Sequence, residues 1–129
     1  MAAPNPTEGE LAILRVLWAR KAPMTVREVH AELSRGKDTA YTTVLKMLTI
    51  MAEKGLVYRD DSERSHTYLA VDAEPVVQRS LVKDLVRKAF GGSALTLVQR
   101  ALDEDVASAD DLEQISKLIA QAKKARRKD

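Results

Sequence analysis

The most suggestive chemistry in this chain lies in Thr39, Thr42, Thr43 and Lys46, with Tyr41 among them and no acidic side chain from Thr39 to Ala52. Threonine hydroxyls can bond phosphates or base edges, the threonine methyl can touch a thymine methyl, and Lys46 can reach a guanine edge or a phosphate. At about 100° per residue the stretch divides into two arcs. Ala40, Tyr41, Val44, Leu45, Met47, Leu48, Met51 and Ala52 fall on one; Thr39, Thr42, Thr43, Lys46, Thr49 and Glu53 fall on the other, joined by Ile50. Threonine is a mediocre helix former, so propensity does not explain the cluster. The pattern predicts a DNA-recognition helix from about Thr39 to Lys54, closed by Gly55 as a left-handed cap. Past it, Arg64 follows an acidic turn and suits phosphate contact, whereas Arg59 is equally suited to pairing with that turn.

Other chemistries find little support. The chain has no cysteine, which removes disulfides, thiolate metal sites and cysteine nucleophiles together. Its two histidines, His30 and His66, lack the carboxylate spacing of a metal or catalytic motif. No Ser-His-Asp set, glycine-rich phosphate loop or paired carboxylates stand out. Neither an enzyme nor a metal or cofactor is expected.

The 129 residues suit one domain with a small appendage. Aromatic content of 4% favours helices packed through Leu, Val, Ile and Met. Residues 1–72 hold 10 basic and 10 acidic side chains and residues 73–129 hold 11 and 9, so a case for nucleic acid rests on where charges sit. No long apolar run or export signal is present, which fits a cytoplasmic protein with no membrane insertion.

The elements that must position the threonine face follow in order. Met1 to Pro6 reads as a loose leader. Thr7 and Glu10 make a capping box ahead of a helix bearing Leu11, Leu14, Leu17 and Trp18, the last read as a core residue, and Ala22-Pro23 stops it. Thr25 and Glu28 repeat the box for a short second helix, and residues 34–38 turn into the third. Runs at 56–59 and 66–71 around a polar hexapeptide read as a hairpin, which makes the layout a winged helix-turn-helix. Beyond Asp72 only helices are expected. One carries Val82, Leu85, Val86, Ala89 and Phe90; after Gly91-Gly92, Ser93 caps a second; Ser108 caps a third with Leu112, Ile115, Leu118 and Ile119. The basic tail, Lys123 to Lys128, is read as frayed. So few short helices cannot bury these stripes alone, and a symmetric partner would cover them.

Ala40-Tyr41-Thr42-Thr43-Val44, followed by Glu53-Lys54-Gly55-Leu56-Val57, resembles the penicillinase repressor (BlaI/MecI/CopY) family. The resemblance extends to residues 10–18 and 25–29, through Arg64-Ser65-His66-Thr67-Tyr68 in the wing, and more weakly to Phe90-Gly91-Gly92-Ser93 and the final helix. It implies a dimeric winged-helix repressor on dyad-symmetric operators of the TACA/TGTA kind. It also implies DNA contacts from Tyr41, Thr42, Thr43, Lys46, Arg64 and His66. Some relatives are inactivated by a membrane sensor protease at an Asn-Phe bond; the single asparagine here is Asn5, followed by Pro6, so that bond is absent from these residues. Copper-responsive relatives carry Cys-x-Cys clusters, which this sequence also lacks.

The expected fold is mainly α with a small β-hairpin: a winged helix-turn-helix over residues 1–72 and a helical dimerisation module with a basic tail over 73–129. The expected function is sequence-specific repression by a homodimer on double-stranded operator DNA. A winged-helix protein-interaction module without specific DNA binding is the alternative, favoured by the neutral charge of residues 1–72.

Overall fold

A computed structural model describes residues 4–103 and 106–127. The chain runs α1 (Glu8–Arg20), β1 (Met24–Thr25), α2 (Val26–Leu33), α3 (Tyr41–Lys54), β2 (Val57–Asp60), β3 (Thr67–Ala70), α4 (Glu74–Ala89), α5 (Ala94–Asp103) and α6 (Ala109–Arg127). It folds as two compact units that divide between Val82 and Lys83.

In the first unit both capping boxes form. Thr7 N–H donates to Glu10 Oε1 at 2.9 Å and Glu10 N–H to Thr7 Oγ1 at 3.2 Å. Thr25 and Glu28 repeat the exchange at the start of α2. These reciprocal bonds satisfy first-turn donors that would otherwise lack partners. The two helices and α3 then close on one core of Ile13, Leu14, Leu17, Val29, Val44, Leu48 and Met51, with Met24 and Tyr68 from the sheet. Gly55 ends α3 in the left-handed conformation, φ 81°, and its N–H reaches back to Ala52 and Met51. That reversal drops the chain directly into β2.

The sheet has one strand more than the expected hairpin. Its order is β1-β3-β2, all antiparallel, with Met24 opposite Tyr68 and Arg59 opposite Tyr68 on the other side. A two-residue strand is too short to show alternation, so β1 leaves no periodic trace in the sequence. Its effect is mechanical, because it ties the turn before α2 to the wing.

Further expectations need correction. Thr39 lies outside α3, which begins at Tyr41 with Ala40 in the N-cap position. Leu45, placed on the apolar arc, is exposed; the core side of α3 is the narrower line of Val44, Leu48 and Met51. Trp18 is half-buried at the margin of the core, and its indole N–H donates to the Asp72 carbonyl at 2.9 Å. Aromatic bulk at the edge of a helix can cover a core while its polar atom finds a partner outside. The first unit continues past Asp72, since Val77 of α4 is buried and Ser80 Oγ donates to Asn5 Oδ1 at 2.7 Å.

In the second unit Gly91 and Gly92, both at positive φ, end α4, and Gly92 N–H bonds the Val86 carbonyl at 2.9 Å. Ser93 accepts from Thr96 N–H, and Ser108 and Asp111 exchange bonds at the start of α6. The tail read as frayed is helical through Arg127; its Lys124, Arg126 and Arg127 lie where the negative end of the helix favours cations. Met1–Ala3 of the leader and Lys128 of the tail fall outside the described residues. Neither α5 nor α6 contains a buried residue among those described. No helix among the described residues is long and apolar enough to cross a membrane.

Candidate nucleic-acid interface

α3 differs from α1 and α2 at its N-terminus. Ala40 offers no side chain to cap it, and its first turn contains no acidic residue. Its first N–H groups therefore lack the side-chain partners that Thr7 and Thr25 supply to the other helices, and an uncapped helix start favours an anion. Thr42 and Thr43 stand exposed in this turn and Lys46 one turn further on.

The turn ahead of α3 is held from α2. His30 Nε2 lies 2.7 Å from the Thr39 carbonyl oxygen, while Thr39 Oγ1 donates to the Lys37 carbonyl at 3.1 Å. Thr39, expected on the DNA-facing arc, thus has its hydroxyl engaged locally and its backbone held out of the helix. Thr49 Oγ1 likewise donates to the Leu45 carbonyl of its own helix at 2.9 Å. Histidine at position 30 drew no functional reading from the sequence, because nothing in its spacing reveals a partner nine residues on.

Two grooves flank α3. The first, about 470 Å³, brings together Tyr41, Leu45, Arg64 and His66 with Arg27 of α2. Three residues named from the resemblance, Tyr41, Arg64 and His66, therefore share one concavity. Tyr41 is 45% exposed, so the ring lies outside the core despite its place on the apolar arc. The second groove holds Thr39, Ala40, Thr43 and Met47 against the start of α1. Thr42 and Lys46 line neither and face outward between them by helical phase.

Charge is sorted around these grooves. Arg20 pairs with Glu28 at 3.1 Å, Arg35 with Glu32 at 3.3 Å, Lys54 with Glu10 at 2.8 Å and Arg59 with Asp61 at 3.5 Å. Arg59 is therefore directed to the acidic turn. Lys46, Arg27 and Arg64 make no ion pair among the described residues. Thr25 N–H, and next the Arg20 guanidinium, hold the Glu28 carboxyl below its usual range, so the acid beside Arg27 is already committed. In the wing turn, hydrogen bonding from Ser62 lowers the Asp60 carboxyl. The unit's neutral sum thus conceals cations left unpaired beside α3. Arg27 and Leu45 leave no mark in the sequence as groove residues, because pairing and exposure depend on the tertiary arrangement.

Three helices with a short sheet whose last two strands follow the third helix as a hairpin define a winged helix-turn-helix protein. The chain belongs to the penicillinase repressor family, which it matches over residues 6–121. It is 39% identical over 80 residues to transcriptional regulator BlaI of Mycobacterium tuberculosis (strain H37Rv), a match covering 62% of this chain and 58% of that protein. The methicillin resistance regulatory protein MecI of Staphylococcus aureus (strain N315) is 19% identical over 113 residues, 88% of this chain and 91% of MecI. Among solved structures, the DNA binding domain of the repressor BlaI superposes with a TM-score of 0.50 at 25% identity, covering 57% of this chain and 88% of that one. RosR of H. salinarum shares the fold over 96% of this chain and 99% of its own, with a TM-score of 0.52 at 21% identity.

Proposed function

We propose that this protein is a sequence-specific transcriptional repressor that binds dyad-symmetric operators of the TACA/TGTA kind as a homodimer. The observation that carries the reading is the uncapped, acid-free start of α3 with Thr42, Thr43 and Lys46 exposed beside it. The naming of MecI and BlaI as regulators, and of the BlaI domain as DNA binding, supports it. α3 lies in the major groove, where Lys46 and the two threonines meet base edges or phosphates, and the wing brings Arg64 and His66 to the backbone.

Residues 73–129 supply the dimer contact. Val82, Leu85, Leu112, Leu118 and Ile119 are exposed in the single chain, and Val86, Phe90 and Ile115 are only half-buried. A second copy covering these stripes would fix the separation of two α3 helices, so half-site spacing mirrors the dimer. Repression then follows from occlusion of the promoter.

Selection from a pool of randomised duplexes tests the reading. An enriched inverted repeat is the expected result, and recovery of unrelated sequences overturns it. The neutral sum of residues 1–72 favours a second reading, a protein-interaction module. Binding through an apolar interface would change little with salt, whereas DNA binding weakens steeply.

A further inference from the structure

We propose that Arg27, on the first turn of α2, is a DNA-backbone contact, and that with Arg64 it forms the two jaws of a clamp on a single phosphate. The inference deepens the repressor reading and rests on it. Arg27 and Arg64 are 37 positions apart in sequence yet line the same groove of about 470 Å³. β1 makes this possible: the strand immediately preceding α2 is paired to β3, and Thr25 is opposite Thr67. The start of α2 and the residues leading into β3 are thereby held side by side.

The groove's chemistry selects its occupant. None of its lining residues is acidic, whereas the concavity on the wing's other flank is lined by Asp60 and Glu63. Both arginines are exposed and lack a carboxylate partner among the described residues. Glu28, the acid next to Arg27, is occupied by the Thr25 capping box and by Arg20. Val26, Leu45 and Tyr68 add apolar lining. Tyr41, the first residue of the uncapped α3, also lines the groove. A phosphodiester matches this combination. Its charged oxygens meet two guanidinium forks, and its deoxyribose rests against the apolar lining.

The test uses the full chain and fluorescence anisotropy on a selected operator and on random duplex of equal length, each over a salt series. Arg27→Gln should weaken binding to both duplexes by the same factor and reduce the slope of log K against log salt by about 1. Arg27→Lys should restore the slope, which a misfolded protein would not do. Arg15→Gln makes the same charge change on an exposed arginine of α1 that lies outside the groove and makes no ion pair among the described residues, and it should leave the slope unchanged. An unaltered slope with Arg27→Gln overturns the clamp, as does an equal effect from Arg15→Gln. A loss confined to the operator also overturns it, since that marks a base contact. Wild-type protein that binds both duplexes equally overturns the repressor reading instead, and in that case the slope still decides whether Arg27 meets phosphate.

Discussion

His30 Nε2 lies 2.7 Å from the carbonyl oxygen of Thr39, and the same imidazole meets the Tyr41 ring edge to face at 5.7 Å. A carbonyl can only accept, so Nε2 carries the proton in this bond. One side chain of α2 thereby fixes the last turn before α3 and the first residue within it. This contact lies at the point where the proposed recognition helix begins.

Replacing His30 by alanine should therefore cost stability and binding together. Loss of one partly buried hydrogen bond is worth about 1 kcal/mol. For a unit of this size that lowers the thermal midpoint by roughly 4–8 °C. Operator affinity, measured well below that midpoint, should also fall. Unchanged affinity in a folded variant would show that α3 keeps its position without His30.

Lys54 and Glu10 link the end of α3 to the start of α1 with a 2.8 Å ion pair whose acid is almost fully buried. Burial raises the Glu10 carboxyl, but the Lys54 hydrogen bond and the Thr7 N–H outweigh it, and the net displacement is downward. A carboxyl lowered in the folded state stabilises above its unfolded value and loses that contribution as pH falls through the folded one. Thermal midpoints should decline below roughly pH 4.3, the ordinary glutamate value, and Glu10→Gln should flatten that part of the decline. A variant with an unchanged acid limb would show that Glu10 does not contribute to it. At neutral pH Glu10→Ala, which also breaks the capping box, should cost about 1–3 kcal/mol by denaturant unfolding.

Lys46 is exposed and free of ion pairs among the described residues, so its alanine variant should fold normally. If Lys46 reads a base, Lys46→Ala should lose about 1–3 kcal/mol on the operator and less on random DNA. Equal losses on both, with a shallower salt slope, would assign it to phosphate.

Leu118 of α6 is 61% exposed in the single chain, so aspartate there leaves the fold of one subunit intact. Leu118→Asp should move the sedimenting species from two chains to one and weaken operator binding. A variant that remains dimeric would place the subunit contact on another face.

The winged architecture was legible because its signals are local. Thr7 with Glu10 and Thr25 with Glu28 are capping boxes three residues apart, Gly55 is a helix stop, and the runs flanking residues 60–65 announce a hairpin. What escaped the sequence depends on residues distant in the chain. β1 exists only through pairing with β3, and Thr39, whose carbonyl meets His30, stands ahead of the helix. Leu45 is exposed because the core reaches a narrower strip of α3 than the apolar arc suggests. In the proposed interface, the exposed Thr42, Thr43 and Lys46 could be picked out by type and phase. Arg27 could not, since its lack of an ion pair among the described residues and its place in one groove with Arg64 depend on how Glu28 is occupied and how β1 is paired.

Whether α3 reads sequence is decided by fluorescence anisotropy with the protein's own upstream DNA, against random duplex of equal length at two salt concentrations. A repressor that reads its operator through α3 forms a specific complex at least ~10³ tighter than the random one, with both weakening as salt rises. Equal, weak binding to both duplexes would contradict it and leave a winged helix whose exposed face serves a protein partner.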